Sequence, residues 1–219
     1  MFDADCLKLM FVAGSQDFYH IKGGKNDRIN ALLDTLELAL QSKITAFQFR
    51  QKGDLALQDP IEIKQLALKC QKRCQKYGVP FIVNDEVQLA LELKADGVHV
   101  GQEDMAIEEV ITLCKKRQFI GLSVNTLEQA LKARHLDGVS YLGVGPIFPT
   151  PSKKDKQVVG VELLKKIRDS GVKKPLIAIG GITMHNALKL REYGGIAVIS
   201  AITQAKDKAL AVGKLLNDA

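Results

Sequence analysis

Residues 79–104 read VPFIVNDEVQLALELKADGVHVGQED. Two short apolar runs, Val79–Asn84 and Gly97–Val100, flank a segment with helical spacing, Val87–Leu93. Each run is apolar at nearly every position, as strands buried on both faces of a parallel sheet must be. Each also ends in polar residues, Asn84-Asp85 in one case and Gly101-Gln102-Glu103-Asp104 in the other. The stretch is one strand–helix–strand unit. Outward from it the same alternation fills the chain, with further runs at Lys8–Ala13, Ile44–Arg50, Phe119–Ser123, Tyr141–Gly145, Leu176–Ile179 and Ile196–Ser200. Helical spacing separates them at Ile29–Gln41, around Ile63, Leu66, Ala67, Cys70 and Cys74, and at Ile107–Lys116, Leu127–Ala133, Val161–Ile167, Met184–Arg191 and Ile202–Leu216. Eight strand–helix units point to an α/β fold, a (β/α)8 TIM barrel, with a doubly wound open sheet as the rival. No Pro/Ser-rich linker divides the chain, so 1–219 is expected to be a single domain. The polar, Gly-containing stretch 14–28 is expected to be a loop or lid.

Composition removes several classes. The 219 residues are 46% hydrophobic and 26% charged, which suits a globular domain with a sizeable core. No apolar run approaches the ~18–20 residues needed to cross a bilayer. Asp3 and Asp5 stand where a secretory signal needs positive charge, so a cytoplasmic location is expected. Cys6, Cys70, Cys74 and Cys114 have no zinc-like spacing and read as free thiols. The net charge of +6 is spread over helix ends such as Lys72-Arg73 and Lys165-Lys166. A nucleic-acid binder would gather that charge on one face. Small anionic substrates are the better use for it.

In a (β/α)8 barrel chemistry sits where strands end. The second run ends Gln48-Phe49-Arg50-Gln51-Lys52. Alternation sends Gln48, Arg50 and Lys52 into the barrel mouth and Phe47 and Phe49 under the helices. Two cations and an amide converging on a cavity make an anion site. Asp85 and Asp104 end the next two strands and belong at the same rim. Either could cap the helix that follows it. Together with Arg50 and Lys52 they suit Mg²⁺ bridging a diphosphate, since Mg²⁺ takes one or two carboxylates plus phosphate oxygens. Ser123 puts a hydroxyl on the fifth strand end. The loop Pro146–Asp155, with three prolines and two lysines, suits a flap over an anion. Gly180-Gly181 and Ser200 end the last two strands, where this fold commonly binds phosphate, so a second anion site is expected there. His99 lies inside a strand and reads as a pocket-lining residue before a general base. No Ser/His/Asp arrangement, Walker A loop or G-x-G-x-x-G is present.

The blocks Gln48–Lys52, Val83–Asp85, ADGVHVGQED (95–104), Gly121–Ser123, Gly143–Lys153 with GPIFPTPSKKD, Ala178–Ile182 and Ala197–Ala201 resemble the thiamine-phosphate synthase family. The resemblance covers about Lys8 to Gln204. It implies a transferase of thiamine biosynthesis. Such an enzyme joins 4-amino-5-hydroxymethyl-2-methylpyrimidine diphosphate to 4-methyl-5-(2-phosphoethyl)thiazole (carboxylate form), giving thiamine phosphate and pyrophosphate. It implies that Gln48, Arg50, Lys52 and Asn84 hold the pyrimidine diphosphate, with Phe49 and Gln51 in the same substrate-binding segment. Asp85 and Asp104 would hold Mg²⁺. Ser123 and Lys153 would contact the pyrimidine substrate. Thr150, Pro151, Ser152, Gly181, Ile199 and Ser200 would bind the thiazole phosphate. Arg50, Lys52, Lys153 and Ser123 would carry the catalysis, with pyrophosphate leaving dissociatively.

Two departures stand out. Ser152 stands where the family often has Thr, and the segment from Gly181 to Ser200 is about two residues short. The expected partners are the two small molecules, with no nucleic acid and no membrane, and a homo-oligomer is compatible with the sequence. Two other functions share these residues: a thiazole tautomerase, which needs no diphosphate site and would use a base such as His99, and a non-catalytic thiamine-pathway binding protein.

Overall fold

The computed structural model describes residues 2–115, 117–150 and 157–217. Eight parallel strands close into a barrel in sequence order: β1 (Leu9–Ala13), β2 (Ala46–Phe49), β3 (Phe81–Asn84), β4 (Gly97–Val100), β5 (Phe119–Val124), β6 (Val139–Val144), β7 (Leu176–Ile179) and β8 (Gly195–Val198). The last strand pairs with the first, Leu9 opposite Ile196, which excludes the open sheet. Outside run α1 (Lys25–Gln41), α2 (Pro60–Tyr77), α3 (Val87–Glu92), α4 (Ile107–Cys114), α5 (Leu127–Ala133), α6 (Gly160–Asp169), α7 (Ser200–Thr203) and α8 (Lys208–Asn217).

Strand alternation sorts the apolar residues into two cores. Met10, Val12, Ala46, Ile82, Tyr141, Ile177 and Ala197 fill the barrel interior. Phe11, Phe47, Phe49, Phe81, Val98 and Val100 face outward and pack with Leu36, Leu66, Ala90 and Leu164 from the helices. Burying one such side chain is worth ~1.5–3 kcal/mol, so the outer layer supplies most of the driving force. Local chemistry sets the helix ends. Asp59 accepts the Ile61 N–H ahead of Pro60, and Gly78 closes α2 at φ 66°.

The structure departs from expectation at four places. Met184–Arg191 does not form an α-helix; only a 3-10 turn, Ala187–Leu190, lies between β7 and β8, where the Asn186 side chain bonds the Thr183 N–H and the Gly181 carbonyl and holds the backbone in a turn. Ile202–Leu216 is two helices, α7 and α8, with Asp207 accepting the Leu210 N–H at the start of the second. The eighth strand runs Gly195–Val198, since Ile199 leaves the extended conformation at ψ −79° and Ser200 opens α7. Residues 14–28 are a 3-10 turn, Ser15–Phe18, followed by the first residues of α1.

Candidate active site

The strand ends surround an open cleft over the barrel interior. Gln48 and Arg50 from the second strand end, Asn84 from β3, His99 from β4 and Ser123 from β5 line it above an apolar floor of Met10, Val12 and Ile177. Gln48 is buried, and its Nε2 lies 3.5 Å from Met10 Sδ. Arg50 is one residue beyond β2, yet its N–H still donates to Ala13 O at 3.0 Å, which keeps it in register with the sheet. Phe49 points into the outer core and is 2% exposed, so the structure does not bring it to the cleft, as strand alternation requires. Gln51 turns away too: its Oε1 accepts from Ser15 Oγ at 3.2 Å and the Leu57 N–H at 3.1 Å.

His99 is held from both sides. Nδ1 lies 2.9 Å from Tyr141 Oη and Nε2 lies 2.9 Å from Ser123 Oγ. Tyr141 is fully buried, and burial pushes its phenol far above the usual range, so it stays neutral. The ring has room because β4 faces β5 at Gly121 and β5 faces β6 at Gly143. A Cβ at Gly121 would sit 2.2 Å from Tyr141 Cζ and 2.4 Å from His99 Nδ1. Gly121→Ala is therefore expected to break the His99–Tyr141 contact and destabilise the protein by ~1–3 kcal/mol, measurable by urea unfolding.

At the rim Lys52 Nζ lies 2.7 Å from Asp85 Oδ2 and 3.5 Å from Asp104 Oδ1. Asp104 also accepts the Gly101 N–H at 2.8 Å, closing the turn after β4. Asp85 holds φ at 64°, a left-handed backbone that sets its side chain beside Asp104. Neither carboxylate caps a helix. Glu86 precedes α3 and Ala106 precedes α4, both without a side-chain cap. Burial, reinforced by the Asp104 charge, pushes the Asp85 carboxyl above its ordinary range despite Lys52. Burial works against ionised Asp104 as well. Its hydrogen bonds with Asp85 and the Gly101 N–H, together with the Lys52 charge, outweigh that and hold it low. The Asp85 hydrogen bond raises the Lys52 ammonium in turn.

A second cleft lies beside the first. Pro146 and Thr150 from the loop after β6, Gly180 and Gly181 after β7, and Ile199 and Ser200 after β8 line it. The walls are joined by backbone: Ile147 N–H donates to Ile179 O at 2.9 Å and Phe148 N–H to Gly180 O at 3.0 Å. Asn186 Nδ2 donates to Gly181 O at 3.0 Å and holds the turn after β7. Pro151, Ser152 and Lys153 lie outside the described residues. Tyr141, which the sequence showed only as a strand residue, enters the site through His99.

The profile of the family described as thiamine monophosphate synthase matches residues 18–202. The chain belongs to that family. A thiamine-phosphate synthase of Helicobacter pylori is 94% identical over 219 residues, all of both chains. One from Pasteurella multocida is 53% identical, over 97% of this chain and 96% of its own. Among solved structures, thiamine phosphate pyrophosphorylase from Pyrococcus furiosus superposes with a TM-score of 0.82 at 34% identity, covering 98% of this chain and 96% of that one. This member of the thiamine monophosphate synthase family is a transferase of thiamine biosynthesis, acting on small molecules in a (β/α)8 barrel. Among the described residues no helix is long and apolar enough to cross a membrane.

Proposed function

We propose that the two clefts hold the two halves of thiamine phosphate, the pyrimidine diphosphate in the first and the thiazole phosphate in the second. The observation that carries this is the charge pattern of one rim, where Lys52 stands between Asp85 and Asp104 beside Arg50. The carboxylate pair already faces a cation, and its hard oxygens suit Mg²⁺. Bound there, Mg²⁺ would supply charge neutralisation to a diphosphate. Arg50 and Lys52 bind and orient the diphosphate and stabilise the charge it gains on leaving, with Lys153 in the same role. Gln48 and Asn84 orient the pyrimidine. Ser123, fixed by His99, contacts the pyrimidine ring. Thr150, Ser152, Gly181 and Ser200 hold the thiazole phosphate, so that its ring nitrogen faces the methylene from which pyrophosphate departs. Proximity of the two substrates then supplies a large share of the rate. No protein nucleophile is used.

A thiazole tautomerase needs no diphosphate cluster, so this rim favours the synthase. A cytoplasmic location without nucleic-acid or membrane partners fits the free cysteines and the scattered charge. The test mixes the protein with both substrates, with and without Mg²⁺, and follows both products. Equimolar pyrophosphate and thiamine phosphate, lost on adding EDTA, are expected. A folded sample that forms neither would overturn the proposal.

A further inference from the structure

The loop after β1 takes no part in the scheme above, yet it is tied to the anion site. Gln16 Nε2 donates to the Arg50 carbonyl at 2.8 Å and to Asp17 Oδ2 at 2.8 Å. The same Asp17 oxygen accepts the Gly14 N–H at 2.8 Å. Ala13 O, at the end of β1, receives the Arg50 N–H at 3.0 Å, so the strand end and the loop that follows it hold the two sides of the Arg50 backbone. Gly14 makes the approach possible, since a Cβ there would lie 1.9 Å from Arg50 O. Ser15 adds its bond to Gln51 on the following residue.

We propose that Gln16 and Asp17 are positioning residues for Arg50, a clamp that aims the diphosphate-binding segment into the cleft. The need is physical. Arg50 lies just past the end of β2, with the loop of residues 51–59 leading away from it. Misplacement of a binding group by ~1 Å can cost ~10²-fold in rate. The clamp is also withdrawn from solvent: Gln16 is 9% exposed and Asp17 is partly buried. Keeping a carboxylate there is unfavourable. Burial pushes Asp17 up to about 6, although the Gly14 N–H, the Arg50 charge and the Gln16 amide all pull it down. A charge held against its own burial is a mark of functional use.

The proposal rests on the reading that Arg50 binds diphosphate, so the experiment tests the two separately. Inorganic pyrophosphate with Mg²⁺ is titrated calorimetrically into the wild type and variants, and KM is measured for both substrates. Arg50→Ala is the control: wild-type pyrophosphate affinity in it would overturn the Arg50 reading itself. With that control weakened, the near-isosteric Gln16→Met and the truncation Asp17→Ala are each expected to weaken pyrophosphate binding and raise the pyrimidine-diphosphate KM about tenfold. The thiazole-phosphate KM should stay within about twofold. Asp17→Asn should retain most of the affinity, because its amide oxygen can accept both N–H groups.

Asp17→Asn also reports on folding. A carboxyl raised from 3.8 to about 6 on folding favours the native state below 3.8 and loses that contribution as pH rises through 6. The variant should therefore melt no lower than wild type at pH 7. Wild-type pyrophosphate affinity in both Gln16→Met and Asp17→Ala overturns the clamp, as do equal rises in the two KM values. If Gln16→Met does not fold, the contrast between Asp17→Ala and Asp17→Asn decides, and equal affinities in that pair overturn it.

Discussion

Asp85→Ala and Asp104→Ala are each expected to lower Mg²⁺-dependent turnover by about 10³-fold and to leave the barrel folded, the scale set by removing a group that fixes charge at a reacting centre. The first half of the expectation follows from the rim. Lys52 bridges the two carboxylates, so each is half of one cation-binding pair. Removing either leaves one carboxylate and a neighbouring ammonium, a set with little attraction for a divalent ion. The second half follows from location. Both side chains sit beyond the ends of β3 and β4, partly open to solvent, outside either apolar core. Asp104→Ala loses the bond to the Gly101 N–H, worth ~1 kcal/mol, well inside a domain's usual margin. Turnover is measured against Mg²⁺ concentration, and Mn²⁺ binding is followed in parallel by electron paramagnetic resonance. Both variants should leave the free-ion Mn²⁺ signal undiminished, where the wild type reduces it by binding, and should melt cooperatively within about 4 °C of the wild type. Wild-type rates in both would sink the assignment of the pair to a metal.

The rim was legible in the sequence because strands have a period of two. Gln48 and Arg50 alternate with Phe47 and Phe49, and the structure divides them between cleft and outer core. The same rule argues against counting Phe49 with its neighbours as substrate-binding, since a whole segment cannot face one way. Local spacing carried less where contacts cross strands. His99, Ser123 and Tyr141 come from β4, β5 and β6, and they meet only because the barrel's register sets Gly121 and Gly143 beside the imidazole. The clamp left still less trace. Gln16 reaches Arg50 across 34 positions through a backbone carbonyl, and any residue type has that carbonyl. The β7–β8 connection failed for another reason. Met184–Arg191 has helical spacing, but the Asn186 side chain ties the Thr183 N–H and the Gly181 carbonyl into a turn, and only Ala187–Leu190 coils, so local side-chain bonding overruled periodicity.

Gly181→Val is expected to raise the thiazole-phosphate KM by about 10²-fold while moving the pyrimidine-diphosphate KM by less than about threefold. Gly181 stands at φ 64°, a left-handed conformation that a β-branched residue rarely adopts, at a cost of ~1–3 kcal/mol. Space is lacking as well. Its Cβ would lie 2.5 Å from Pro149 O and 2.8 Å from the Phe148 carbonyl carbon, both backbone atoms. Backbone cannot swing aside as a long side chain can. The loop after β6 would have to move, and its ties to Ile179 and Gly180 would loosen with it. That loop carries Thr150 and forms one wall of the second cleft. The first cleft shares only Ile179, Ala197 and Ile199 with the second, and none of its polar groups. Its proposed diphosphate-binding residues other than Lys153 hang on β2, β3 and β4, which the clash does not touch, so most of that anion site stays in place. Steady-state kinetics with each substrate varied in turn measures the split. Equal rises in the two KM values would show that the clefts act as one site, and the division of the two substrates between them would then fail.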